Sequence, residues 1–164
     1  MTNAIWTLGY GGWPTQERLN GILNAIQQAG ITTLVDVRHS PCPSQANPHP
    51  RYGPRDWHLL SARNGLDGYV QDLGIDYVWL GELGNPQTND HKMAILREQL
   101  EQADQRWPVN RGLFLLNRLV RKGGNRCCLL CACKDYDVCH RKVIAEALAQ
   151  RFFAGHLAIY DLRK

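Results

Sequence analysis

The feature that most constrains this chain is the way short apolar runs alternate with segments of helical period. AIWTLGY (residues 4–10) is a brief apolar run broken by Gly11-Gly12-Trp13-Pro14, the pattern of a strand followed by a turn. TQERLNGILNAIQQAG (15–30) then spaces Leu19, Ile22, Leu23, Ile26 and Ala29 at helical intervals. That spacing predicts a helix with one buried face, Thr15 as its N-cap and Gly30 as its stop. ITTLVDVR (31–38) is again mostly apolar, as a strand covered on both faces should be. A strand, a helix and a second strand joined in this way imply a parallel pair, because parallel strands need a long crossover between them.

The alternation continues to the end of the chain. Residues 59–73 read as broken helix, IDYVWLGELG (75–84) as a third strand, and 90–106 as a helix turning Ile95 or Leu96, Leu100, Ala103 and Trp107 inward. A second helical segment covers 111–121, KGGN turns the chain, and CCLLCAC (127–133) is a fourth strand. VCHRKVIAEALAQRF (138–152) is a helix and HLAIYDL (156–162) a last strand. The expectation is an α/β fold: a single compact domain over residues 1–164, with a mostly parallel sheet of about five strands and helices on both faces. A chain of this size buries roughly 70% of its unfolded surface and needs no disulfide staple. One stretch breaks the pattern. Residues 39–57 hold five of the eight prolines, which excludes a helix interior or a central strand and marks a long loop of the kind that commonly carries function or is disordered.

Charge and cysteine usage narrow the chemistry. The formal charge is +4 without a Lys/Arg block, so anionic partners are favoured only weakly. Arginine outnumbers lysine, which suits planar, bidentate recognition of phosphate or carboxylate. MTNAIWTLGYGG has neither the basic start nor the long apolar run of a signal peptide or membrane helix. A cytoplasmic protein without membrane attachment is therefore expected. Thiols stay reduced there, which turns the cysteines towards metal binding, catalysis or plain burial. Five of the six lie between 127 and 139, and Cys42 stands apart. Walker A, G-x-G-x-x-G, H-E-x-x-H and G-x-S-x-G patterns are absent, as is an arginine six residues after any cysteine.

In open α/β sheets ligands bind beyond the carboxyl ends of the strands. Four groups are predicted to meet there: Gly9-Tyr10-Gly11-Gly12, Asp36-Val37-Arg38, Gly81-Glu82, and Cys131 with Cys133. Asp137 is placed to cap the helix that follows, putting Cys139 in its first turn beside His140 and Arg141. The helix dipole and these cations lower a thiol's pKa, and the same terminus with Arg141 binds anions. Cys139, His140, Asp36 and Glu82 are thus the candidate catalytic groups. Arg38, Arg141, Tyr10 and Ser40 are the candidate anion ligands. Against this stands a plainer account, in which Cys139 is a small buried residue and Asp36–Arg38 a structural ion pair. Metal binding is a third account: Cys131 and Cys133 share one face of a strand, and Cys139 or His140 completes a tetrahedral zinc set, although the spacing follows no paired-knuckle pattern. Cys127 and Cys128 read as core thiols.

TLGYG (7–11), LVDVRHSP (34–41), GIDYVWLGELG (74–84) and LLCACKDYDVCHR (129–141) together resemble the successive signatures of the domain of unknown function 488 family. The resemblance implies a fold and a Cys-His-Arg segment without implying a reaction. Cys133 departs from the family pattern, which commonly has glutamate there, and the departure bears on mechanism. A fainter likeness is to rhodanese-like sulfurtransferases, which also have a strand ending in Asp-Val-Arg. Three readings stay open: an enzyme acting through a thiol on a small anionic substrate that carries phosphate or sulfur, a nucleotide or nucleic-acid binding module, and a zinc-stabilised adaptor.

Overall fold

In the computed structural model, residues 3–38, 65–85 and 92–162 are described. Ser40, Cys42 and the rest of the proline-rich stretch lie outside them. Five strands, β1 (Ala4–Gly9), β2 (Thr33–Asp36), β3 (Asp76–Trp79), β4 (Cys127–Cys131) and β5 (Ala158–Asp161), form one sheet in the order β3-β2-β4-β1-β5. Every neighbouring pair is parallel. The fold is α/β, and the sheet is parallel throughout rather than mostly so.

The central strands are buried from end to end, and period-2 alternation divides their side chains between two cores. Leu8, Leu34, Cys128 and Leu130 face one layer, formed by α1 (Arg18–Gln28) through Leu19, Ile22 and Ile26 and by α2 (Leu66–Asp72) through Leu66 and Val70. Ile5, Val35, Cys127, Leu129 and Cys131 face the other. That layer comprises α3 (Ala94–Gln102), α4 (Pro108–Arg121) and α5 (His140–Phe153). Each fully buried Leu or Ile in these layers contributes roughly 1.5–3 kcal/mol of transfer free energy. The edge strands β3 and β5 are four residues long and only partly covered, which limits pairing with other chains. No helix among the described residues is long and apolar enough to cross a membrane.

Several local expectations shift. Thr15 does not cap α1; Thr15–Glu17 form a 3-10 turn and the α-helix begins at Arg18, while Gly30 ends it at φ +62°. The third strand stops at Trp79, and Gly81–Leu83 form a 3-10 turn that buries Leu83. Leu96 and Leu100 face inward from α3, but Ile95 and Trp107 are each 39% exposed. Ala103, also expected to face inward, is exposed; it adopts φ +52° and ends α3 before the apolar stripe reaches Trp107.

The helices that follow neighbouring strands switch faces at β3/β2, at β2/β4 and at β4/β1. The helices after β1 and β4, which are adjacent strands, lie on opposite faces, so the loops leaving these two strands part and open a crevice. A cleft of about 440 Å³ occupies it, lined by Gly9, Gly12, Asp161, Leu162 and the 134–137 loop.

Candidate functional site

β4 delivers Cys131 to the carboxyl edge of the sheet, and the chain loops through residues 132–138 before α5 begins at His140. The N-cap of α5 is Cys139 rather than Asp137. Its backbone is extended (φ −106°, ψ 146°), and its Sγ accepts from the Arg141 amide at 3.5 Å and from Arg141 Nε at 3.3 Å. The sulfur thus takes the place usually filled by an Asp or Ser oxygen at the end of a helix. Asp137 is exposed and pairs with Lys142 at 3.2 Å.

His140 is buried, and its Nε2 lies 2.8 Å from the Val37 carbonyl oxygen. A carbonyl can only accept, so Nε2 carries the proton and Nδ1 faces the sulfurs, 3.7 Å from Cys131 Sγ and 3.9 Å from Cys139 Sγ. Cys131 and Cys133 are 3.8 Å apart, and the sulfurs of Cys131, Cys133 and Cys139 all lie within 4.8 Å of one another. Zinc–sulfur bonds of ~2.3 Å and zinc–nitrogen bonds of ~2.0 Å give tetrahedral edges of about 3.8 Å between sulfurs and about 3.5 Å from sulfur to nitrogen. The 3.8 Å and 3.7 Å contacts of Cys131 fall close to those edges. The histidine also has the backing usual for a metal-bound imidazole, its far nitrogen donating to a fixed carbonyl.

Without a cation the cluster sheds its first proton from Cys139. Hydrogen bonds from the Cys131 and Cys133 thiols, with that of His140, hold it well below the ordinary thiol range despite burial. Cys131, although Cys133 draws it down, is pushed up to about 12 by its bond to Cys139 and by burial. Cys133 moves up too, since Cys131 and Cys139 compete for the negative charge. Burial opposes charge on His140, but its bond to the Cys139 thiolate and the Val37 carbonyl raise it overall. Cys127, pushed up to about 12 by burial alone, and Cys128, also raised mainly by burial, are core thiols as their positions suggested.

Arg141 is fully buried. Its Nη1 contacts Asp161 at 3.3 Å, and its Nη2 has no hydrogen-bond partner among the described residues. A Cβ on Gly9 would collide with the Cys133 carbonyl oxygen and stand 2.6 Å from Arg141 Nη2, so the missing side chain at position 9 is what lets the β1 end press against the thiol loop. On the other side of β2, Asp36 accepts from Arg38 Nε at 2.9 Å and from Nη2 at 2.5 Å, and from Tyr77 Oη at 2.6 Å. Tyr10 Oη accepts from Arg38 Nη1 at 3.3 Å. Asp36, Arg38 and Tyr10 therefore form one buried assembly, and Cys131, Cys139, His140 and Arg141 form another, joined by the exposed Cys133. Glu82 joins neither set of contacts; it is exposed on the turn against Gly112 of α4. Ser40 lies outside the described residues. The sequence reading missed Asp161, which also accepts from Thr7 at 2.7 Å, and Tyr77. Asp161 ends a strand at the same edge as the other groups, and that signal was available.

Residues 51–148 match the family described as Domain of unknown function DUF488. The chain belongs to this family. The DUF488 match spans β3, β4 and the whole thiol cluster, and it leaves Tyr10, Asp36, Arg38 and Asp161 outside its bounds. No curated protein and no solved structure matches the chain. For this DUF488 protein the family assigns no reaction, and the chemistry has to be argued from the site.

Proposed function

We propose that the protein works through a metal centre, in which Cys131, Cys133, Cys139 and His140 hold one zinc-class ion at the carboxyl edge of the sheet. One observation carries this reading: three sulfurs lie within 4.8 Å of one another, with Nδ1 of His140 turned to two of them. Thiolate and imidazole donors in a tetrahedral set select zinc over the hard cations, which require oxygen ligands. When bound, such an ion supplies Lewis acidity if a coordination position can open, and structural cross-linking if it cannot. The remaining residues contribute in either case. Val37 orients His140, Arg141 compensates the negative charge of the Cys139 sulfur, and Asp161 positions Arg141.

Elemental mass spectrometry of untagged protein purified without chelator tests the reading. One zinc per chain is expected, with none retained by Cys139→Ser; a wild-type chain free of metal after zinc has been supplied overturns it. A second reading draws on the unpartnered Arg141 Nη2. In it the protein is a thiol-dependent transferase or hydrolase acting on a phosphate- or sulfur-containing anion. Cys139 is the reactive thiol, His140, Asp36 and Glu82 manage protons, and Arg38, Arg141, Tyr10 and Ser40 bind the anion. That reading requires metal-free protein whose Cys139 is alkylated fastest among its thiols.

A further inference from the structure

The four proposed ligands are not equivalent. Cys131, Cys139 and His140 are 4%, 1% and 8% exposed, whereas Cys133 is exposed to solvent. The buried three are also fixed by secondary structure: Cys131 ends β4, Cys139 caps α5, and His140 opens α5 with its ring tied to Val37. Cys133 belongs to neither a strand nor a helix, and the 440 Å³ cleft begins at its neighbour Lys134. Its backbone is held by the close approach of Gly9, so only the side chain has room to turn.

We infer that Cys133 is the exchangeable ligand of the centre, giving way at the fourth corner to a small exogenous thiol that arrives through the cleft. The inference rests on the metal-centre reading and deepens it by naming the open position and the class of ligand that takes it. The exchange balances: the bond from the ion to Cys133 Sγ breaks, a bond to the incoming sulfur forms, and the proton shed by the incoming thiol ends on Cys133. Three buried protein donors and one replaceable corner is the arrangement of zinc sites that act on substrates, and four locked donors is that of purely structural ones.

Cobalt(II) loading of the purified full chain tests this, with 2-mercaptoethanol as the probe thiol. Cys133→Ser is expected to retain one cobalt per chain after desalting, with a reduced sulfur-to-cobalt absorption band that 2-mercaptoethanol restores. Cys131→Ser and Cys139→Ser are expected to retain none. Because any of these variants could be misfolded, the wild-type protein is examined as well: iodoacetamide should label Cys133 alone among the four ligands while the cobalt stays bound, as read by peptide mass mapping and metal content. Loss of metal from Cys133→Ser as complete as from Cys131→Ser, a band that ignores added thiol, or release of cobalt in step with Cys133 labelling would each overturn the inference. If the wild-type chain binds neither cobalt nor zinc, the metal-centre reading falls and takes this inference with it.

Discussion

Arg38 and Arg141 are buried about the same sheet edge, and the protein treats them oppositely. Arg38 meets Asp36 through two nitrogens and Tyr10 through the third, and Asp36 is further occupied by Tyr77. Arg141 faces a sulfur through Nε, contacts Asp161 at 3.3 Å, and leaves Nη2 without a hydrogen-bond partner among the described residues. Burial penalises both cations, but Asp36 raises Arg38 well above its ordinary range, and the Cys139 sulfur raises Arg141. The lesson lies in the bonding that is left over. A buried centre that satisfies itself is serving the fold, while one that keeps sulfurs, a ring nitrogen and a guanidinium nitrogen underused is suited to something from outside the chain.

The comparison breaks first at Asp36. Asp36→Ala strands a buried guanidinium and should cost about 3–5 kcal/mol in urea denaturation, with metal stoichiometry unchanged in whatever fraction stays folded. A loss below ~1 kcal/mol would show that the pair is not structural. Next in size is the metal itself: raising free zinc to 100 times its Kd should add about 2.7 kcal/mol to stability, and should add the same increment to Tyr77→Phe if the two centres are independent. Gly9→Ala forces a methyl group into the Cys133 carbonyl and towards Arg141, so about 2 kcal/mol of destabilisation is expected together with weaker cobalt binding. Equal stability with unaltered cobalt spectra would mean that the loop gives way freely. Smallest is the trimming of the saturated centre. Tyr77→Phe should lose about 1.5 kcal/mol because its hydroxyl bonds a carboxylate at 2.6 Å, and Tyr10→Phe less because its contact is 3.3 Å. The reverse order would overturn that ranking.

The strands were legible because their apolar runs are short and bounded by Gly, Pro or Asn. The third was read too long for a definite reason: Leu80 and Leu83 are both buried, yet a 3-10 turn achieves this at a spacing of three where a strand would need two. Convergence at the carboxyl edge was legible from topology for three of the four expected groups, Glu82 standing apart, and so was the Asp36–Arg38 pair. Three details of the site were not. Capping by Cys139 puts a sulfur where Asp, Asn, Ser or Thr is the usual signal, so the residue type did not mark the cap. The state of His140 is set by Val37, 103 residues away, through a main-chain oxygen that leaves no mark on the side-chain pattern. The closeness of the three sulfurs comes from a loop that brings Cys133 to 3.8 Å from Cys131, which an irregular cysteine spacing does not reveal.

The sheet order has a temporal consequence. β4 lies between β2 and β1, so the strand that joins the two halves of the sheet is the fourth to be synthesised. Until residues 127–131 leave the ribosome, Leu8 and Leu34 belong to strands with no common neighbour, and Val37 lacks the Leu130 oxygen that its amide finally meets. The first half of the chain therefore waits with apolar edges open, and the segment that closes them is the one that brings the thiols. Chaperone dependence during translation should accordingly fall once β4 and the cluster have emerged, and end when α5 and β5 cover the remaining face and edge.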